Sequence, residues 1–455
     1  MATWSRPQSY QPLSPLLLRS RHECANKVAG KLTVFAKQDV FVKISSEQVA
    51  VIVGRGIDAA GGLLFLKMLS TLADKSDVGK YMLASSYLAL VLVISFSALD
   101  QGLLRNVTEY RKQSSLASRY SAMLVMYLCL AAIVSGSCAI TLSVFELDPA
   151  LRGILGPLSL WLAFEAVKNL NMTVASGLRS RSLIAGASAV DYGFRLALLW
   201  IMHSAGIVST ENIVYLLAAA GMAASGVFLW GQRQLLSRFS WPDVRNTLVD
   251  SIKFSWSMIF WGMFGWLQNM SNRWLLNQFA DLSVVAEYGV LVAIGTFPVT
   301  ALVGLVVTYV VPILYERESS SVGSSRAIVR RVALALIPAC ALLVFLVAIW
   351  HRELIIFFSG KNYAEHSYVL PMIMAAASAS AICSVLTYAV FAQRRVASLL
   401  LANTVPGLFG LAFGYFAVSQ YQFNGAILTL VLSHALAAVL FIVAFARTGP
   451  STAAL

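Results

Sequence analysis

The chain has 455 residues, 58% of them apolar and only 12% charged, against about 45–50% apolar and about 25% charged in an ordinary soluble domain. That composition excludes a water-soluble globule, and because each membrane-spanning helix consumes roughly 20 apolar residues, about a dozen spans would leave no room for a sizeable soluble domain. The net charge of +13 does not call for nucleic acid, since the cytoplasmic loops of a membrane protein collect Lys and Arg.

Residues 1–48 are polar and basic and contain Pro7, Pro12 and Pro15. They read as a disordered or interfacial cytoplasmic extension; Leu16–Leu18 is far too short for the apolar core of a signal peptide. Long apolar runs then predict an all-α polytopic membrane protein of about twelve transmembrane helices, near 49–70, 80–99, 120–145, 152–176, 183–203, 212–231, 252–274, 284–314, 328–350, 367–392, 396–418 and 425–446. With a cytoplasmic N-terminus, the inner segments hold most of the basic residues, among them Arg105, Arg111, Lys112, Arg119, Arg179, Arg181, Arg233, Arg238, Arg245, Arg326, Arg330, Arg331, Arg394, Arg395 and Arg447. The outer segments hold Lys75, Lys80, Arg152, Arg273, Arg352 and Lys361. This asymmetry predicts both termini inside.

The stretch 72–81 aligns with 279–288, with Ala, Asp, Ser, Val and Tyr identical, and each joins the first span of a half to its second. Close by, Val107–Ser115 answers Pro312–Ser320. The expected organisation is therefore two parallel six-helix lobes, 49–231 and 252–446, joined by a cytoplasmic linker over 232–251 and followed by a tail over 447–455. Such pseudo-symmetric lobes would enclose a cavity between them.

An ionisable side chain near the bilayer centre costs roughly 2.5–3.5 kcal/mol, so each asks for a partner or for water. Arg55 and Asp58 stand three apart on the first span, Glu165 and Lys168 three apart on the fourth, and Asp191 and Arg195 four apart on the fifth, so each couple shares a helical face. Each couple is either a self-neutralised pair that binds helices together or part of a hydrated cavity whose cations receive an anionic cargo. Arg suits the second role through its two-point geometry on phosphate. Lys67, Lys253 and Arg273 lie nearer span ends, where long side chains snorkel. Pro298, Pro312, Pro338, Pro371 and Pro406 fall in or beside spans eight to eleven and suggest kinks. Trp256, Trp261 and Trp266 recur every fifth residue, which spreads them around the seventh span and suits packing or anchoring better than a stacking stripe.

The sequence has no P-loop, HExxH or GxSxG, and Cys24, Cys129, Cys138, Cys340 and Cys383 have no metal-ligand spacing, so no cofactor or metal is expected. The outer connection 351–366, with His351, Arg352, Glu353, Lys361, Glu365 and His366, is the segment on which an enzyme site could be built.

The run Val78-Gly79-Lys80-Tyr81, the motifs Gly102–Arg105 and Glu109–Arg111, and the seventh-span stretch Ser271–Ala280 followed by Val285-Ala286-Glu287-Tyr288 resemble bacterial polysaccharide-biosynthesis transporters. These are lipid-linked oligosaccharide (O-antigen type) flippases of the multidrug/oligosaccharidyl-lipid/polysaccharide (MOP) superfamily, and the resemblance covers about 40–446. Ala286 stands where a glycine is usual, and Asn272 where an acidic residue often precedes the seventh-span Arg. The resemblance implies an alternating-access protein of the bacterial inner membrane that flips an undecaprenyl-diphosphate-linked repeat unit for surface or exopolysaccharide synthesis. It implies partnership with membrane lipid, a polysaccharide polymerase and other glycan-assembly proteins. The family's first-span cavity Arg maps onto Arg55; the reading of the charges adds Lys168, Arg195 and Arg273 as substrate-binding groups, with Asp58, Glu165 and Asp191 for ion coupling or charge pairing. A cation-coupled multidrug antiporter of the same architecture is the alternative. It would want in-span acidic groups free of basic neighbours.

Overall fold

The computed structural model describes residues 46–144, 153–238, 240–320, 324–393 and 399–447. The expected extension, apart from Ser46–Gln48, and the expected tail beyond Arg447 lie outside the described residues. Within them, every regular element is helical. In chain order these are α1 (Ser46–Leu72), α2 (Lys75–Leu92), α3 (Ala98–Lys112), α4 (Leu116–Val144), α5 (Leu155–Gly177), α6 (Arg181–Ser204), α7 (Thr210–Gly231), α8 (Trp241–Phe279), α9 (Leu282–Ser320), α10 (Ser324–Ser359), α11 (Leu370–Ala392) and α12 (Leu400–Arg447).

Among the described residues nine helical stretches are long and apolar enough to cross a membrane. Helices α5 and α8 fall outside that set because polar side chains such as Glu165, Lys168 and Asn171, or Gln268, Asn272 and Arg273, dilute their apolar runs. Helix α12 spans the runs expected over 396–418 and 425–446. Its backbone reverses at Gln422 (φ 44°), and the two arms pack with Gly414 opposite Thr429 and Gly410 opposite Ser433.

The elements depart from the sequence pattern at four places. A π-helical turn, Val93–Ser97, joins α2 to α3 without any proline; its wider ring loosens the backbone ladder, and the Tyr127 hydroxyl reaches the Phe96 carbonyl at 3.5 Å. Helix α8 begins at Trp241, inside the stretch expected to be linker. Ser240 and Asp243 form a reciprocal capping box there, with Pro242 in the first turn. Helix α10 kinks at Trp350 (φ −112°, ψ 23°), where the ninth span was expected to end, and beyond the kink the apolar residues of Leu354–Phe358 carry helix on to Ser359, so most of the expected connection 351–366 is helix. Pro371 sits in the first turn of α11, where its missing N–H is no loss, so it starts a helix instead of kinking one.

Helices α1–α7 belong to the first half of the chain and α8–α12 to the second. Within them α5 and α6 pack along α7, and α8 and α11 pack along α12. The halves meet where α2 lies on α9 and α3 on α8. At the end holding the turns 73–74 and 280–281, Gly79 is pressed so closely on α9 that a Cβ there would lie 2.1 Å from the Leu282 carbonyl oxygen. At the opposite end, holding the turn 113–115, Gly102 touches Ser251 and Arg119 pairs with Asp250 at 3.3 Å. The two aligned segments 72–81 and 279–288 thus face one another across this contact, joined by Lys75 and Glu287 at 3.6 Å.

Candidate functional site

The charged residues of α5 and α6 come together in one cluster. Lys168 donates to Glu165 at 2.8 Å along α5 and to Asp191 at 3.0 Å across to α6. Arg195 grips the same Asp191 in two-point fashion, Nε on Oδ1 and Nη2 on Oδ2, both 2.9 Å. Side-chain exposures of 8% for Asp191, 12% for Lys168, 14% for Arg195 and 17% for Glu165 put the four groups largely out of water. Two cations and two anions leave the cluster neutral. That balance answers the desolvation cost of each charge, and the Lys168 bridge ties α5 to α6.

Helix α1 docks on α6 beside this cluster. A Cβ at Gly61 would meet the Tyr192 ring at 2.4 Å, so the helices lie this close only with glycine there, and the would-be Cβ of Gly54 stands 3.3 Å from Ala185. The Arg195 guanidinium lies 5.1 Å from the Tyr192 ring and 5.9 Å from that of Phe65. Tyr81 stacks on Trp161 at 6.4 Å and lies within electrostatic reach of Arg195, Arg273 and Glu165.

Arg55 stands apart. It is exposed and, among the described residues, makes no ion pair. Asp58, although on the same face, does not bond to it and instead lies within reach of Tyr192. Ten residues of helix separate Arg55 from Phe65, roughly 15 Å at a rise of about 1.5 Å per residue, so Arg55 and Arg195 do not form a single pincer. Around Arg55 the flank of α1 is free: Ile52 and Val53 are exposed and Gly56 has nothing within 4 Å of its would-be Cβ. Toward its other end α1 reaches the second half, through the Lys67 ammonium 4.5 Å over the Phe357 ring and through Thr71 against Gly360. Along α1, then, the contacts with the second half lie at the 73–74 end, and the flank around Arg55 is exposed.

Arg273 is 8% exposed, where the sequence suggested a snorkelling or cargo-facing end. It donates to the Met82 carbonyl at 3.3 Å, across the contact between halves, and sits between Tyr81 and Tyr288, the paired tyrosines of the two aligned segments. Two of the three tryptophans of α8 pack, Trp266 donating to the Ser86 carbonyl at 2.7 Å and Trp261 lying on Phe391 and Phe441, while Trp256 is exposed. A shallow groove of about 530 Å³ between α10 and α11 is lined by Ile337, Phe345, Ile382 and their neighbours, with no charged group.

Sequence reading missed Asp100. It falls just past the span expected over 80–99, yet lies within the apolar stretch Lys75–Val107. Its carboxylate accepts from the Tyr127 hydroxyl at 2.7 Å and from Thr173, and no cation pairs with it among the described residues. The signal was present in Ala98, Leu99, Leu103 and Leu104 on either side of it, which continue the second span.

No family model matches the chain, and no curated protein sequence matches it. Solved structures do. The structure of the lipid II flippase MurJ in an inward closed conformation superposes with a TM-score of 0.67 at 10% identity, covering 88% of this chain and 89% of that one. A point mutant of the Vibrio cholerae MATE transporter VcmN superposes with a TM-score of 0.61 at 13% identity, covering 88% and 95%. An outward-facing multidrug resistance MATE family transporter of the MOP superfamily gives 0.60 at 13%, covering 88% and 93%. The chain therefore has the polytopic helical fold that these MOP-superfamily proteins share.

Proposed function

We propose that the protein is an alternating-access membrane transporter, not an enzyme, that moves an undecaprenyl-diphosphate-linked oligosaccharide across the bacterial inner membrane for surface or exopolysaccharide synthesis. The observation that carries the reading is Arg55, an exposed cation on α1 that makes no ion pair among the described residues. A phosphate group arriving there finds a planar donor fork with no carboxylate to displace. Arg195 and Lys168 hold Glu165 and Asp191 and are only partly exposed. In this reading they keep α1, α5 and α6 in place and take part in binding by exchanging a carboxylate for a phosphate. Arg273 acts at the contact between the halves. The fold shared with a lipid II flippase supports a lipid-linked cargo. On this reading both termini, the linker and the 113–115 end are cytoplasmic, and the cargo enters there.

Deleting the gene should make undecaprenyl-linked units accumulate in the cell with loss of surface glycan. Normal surface glycan in the deletion strain refutes the proposal.

One observation favours the antiporter instead. Among the described residues Asp100 is an in-span carboxylate bonded only by hydroxyls, the kind of group a proton- or cation-coupled exchanger needs. If that reading holds, deletion raises drug susceptibility and Asp100→Asn reproduces the effect, with surface glycan unchanged.

A further inference from the structure

At the 73–74 end, away from the charges of α5 and α6, Glu287, Glu365 and His366 each offer a ligand atom, and these atoms lie within 4.8 Å of one another. Around a tetrahedral zinc at about 2.0–2.2 Å from each ligand, neighbouring ligand atoms stand roughly 3.3–3.6 Å apart. His366 Nδ1 and Glu287 Oε1 are already 2.8 Å apart across a shared proton, and Glu365 is exposed and free to rotate inward. A second feature points to the same place. Tyr363 is fully buried, and its hydroxyl finds no hydrogen-bond partner. A buried hydroxyl without a partner is costly, and a metal-bound water beside Glu287 would supply one.

We propose that Glu287, Glu365 and His366 form a site for a zinc-class divalent cation whose binding competes with Lys75. The Lys75 ammonium lies 3.6 Å from Glu287 Oε2 and 5.1 Å over the Tyr363 ring. Lys75 belongs to the first half, whereas Glu287, Glu365 and His366 all belong to the second. A dication on Glu287 repels the ammonium, so metal occupancy and the Lys75–Glu287 pair exclude each other. Loading the site therefore releases an ion pair that joins the two halves at this mouth, and the ion acts on how readily that mouth opens. The inference does not depend on what the protein carries.

The test is isothermal titration of Zn²⁺ into the purified full chain in detergent. The expected result is saturation at one ion per chain, with affinity falling roughly tenfold or more in Glu365→Gln and in His366→Gln and rising several-fold in Lys75→Met, where the competing charge is gone. Thermal melts of the apo variants close to wild type exclude misfolding as the cause. Absence of one-to-one binding overturns the proposal, as does binding that survives both ligand substitutions. Affinity unchanged or weakened in Lys75→Met also overturns it, since a merely adventitious surface ion has no reason to compete with that lysine.

Discussion

Replacing Lys168 with Met tests whether the α5–α6 cluster is held by the bridge the structure shows. The ammonium serves Glu165 at 2.8 Å and Asp191 at 3.0 Å. Its loss strands Glu165, which is 17% exposed and has no other ion-pair partner among the described residues, while Asp191 keeps Arg195. Breaking a buried ion pair by removing one partner costs about 3–5 kcal/mol. Residual solvent at Glu165 and the surviving Arg195 put Lys168→Met at the low end, about 3 kcal/mol. Glu165→Gln alone leaves Lys168 on Asp191 and should cost about 1 kcal/mol. In the double variant no charge is stranded, so its loss should be about 2 kcal/mol instead of the additive 4 or so, a coupling of about 2 kcal/mol. Equilibrium unfolding of the four purified proteins in mixed micelles, titrated with a denaturing detergent, measures the cycle. Coupling below about 0.5 kcal/mol would mean that the pair is not a structural unit.

Other substitutions probe the ends of the molecule. Gly79→Val places side-chain carbons where the Leu282 carbonyl sits 2.1 Å from a Cβ; it should cost at least about 1–3 kcal/mol and lower disulfide cross-linking between Lys75→Cys and Glu287→Cys, whereas undiminished cross-linking would show that the close approach is dispensable. Asp243, at the start of α8 and outside the expected span, receives hydrogen bonds from Ser118 and then Ser240, which hold its carboxyl below the usual carboxylate range. A depressed native pKa stabilises the fold above the unfolded value near 3.9, and that gain disappears as pH falls through the native value. Asp243→Asn should therefore melt below wild type at neutral pH and alongside it in strong acid, and equal melts at pH 7 would contradict the capping role.

The helical framework was legible because run length and hydropathy are local properties of the chain. The i,i+3 and i,i+4 spacings of Glu165–Lys168 and Asp191–Arg195 were legible for the same reason, since helix geometry alone brings them together. What spacing could not give was the Lys168–Asp191 bond, which depends on how α5 lies against α6. Arg55 and Asp58 show the converse: correct spacing, yet no bond, because Arg55 stands exposed and Asp58 lies beside Tyr192. Arg273 looked terminal in sequence and is buried because α2 covers it, a fact of tertiary packing. The π-turn at Val93–Ser97 has no proline or glycine at the break to announce it, whereas the reversal at Gln422 falls between the two runs expected over 396–418 and 425–446. Glu287 and His366, far apart in the chain, meet only because α10 extends to Ser359 and carries the following loop back over α9.

The central claim is that Arg55, an exposed cation on α1, receives a lipid-linked phosphate. The most direct measurement follows a fluorescent undecaprenyl-diphosphate-linked saccharide across the membrane of proteoliposomes containing either the wild-type protein or Arg55→Glu, both matched for folding by their melts. The account predicts that the wild type speeds translocation well above protein-free vesicles and that the charge reversal abolishes the gain. Translocation by Arg55→Glu as fast as by the wild type, or none by the wild type, would contradict it.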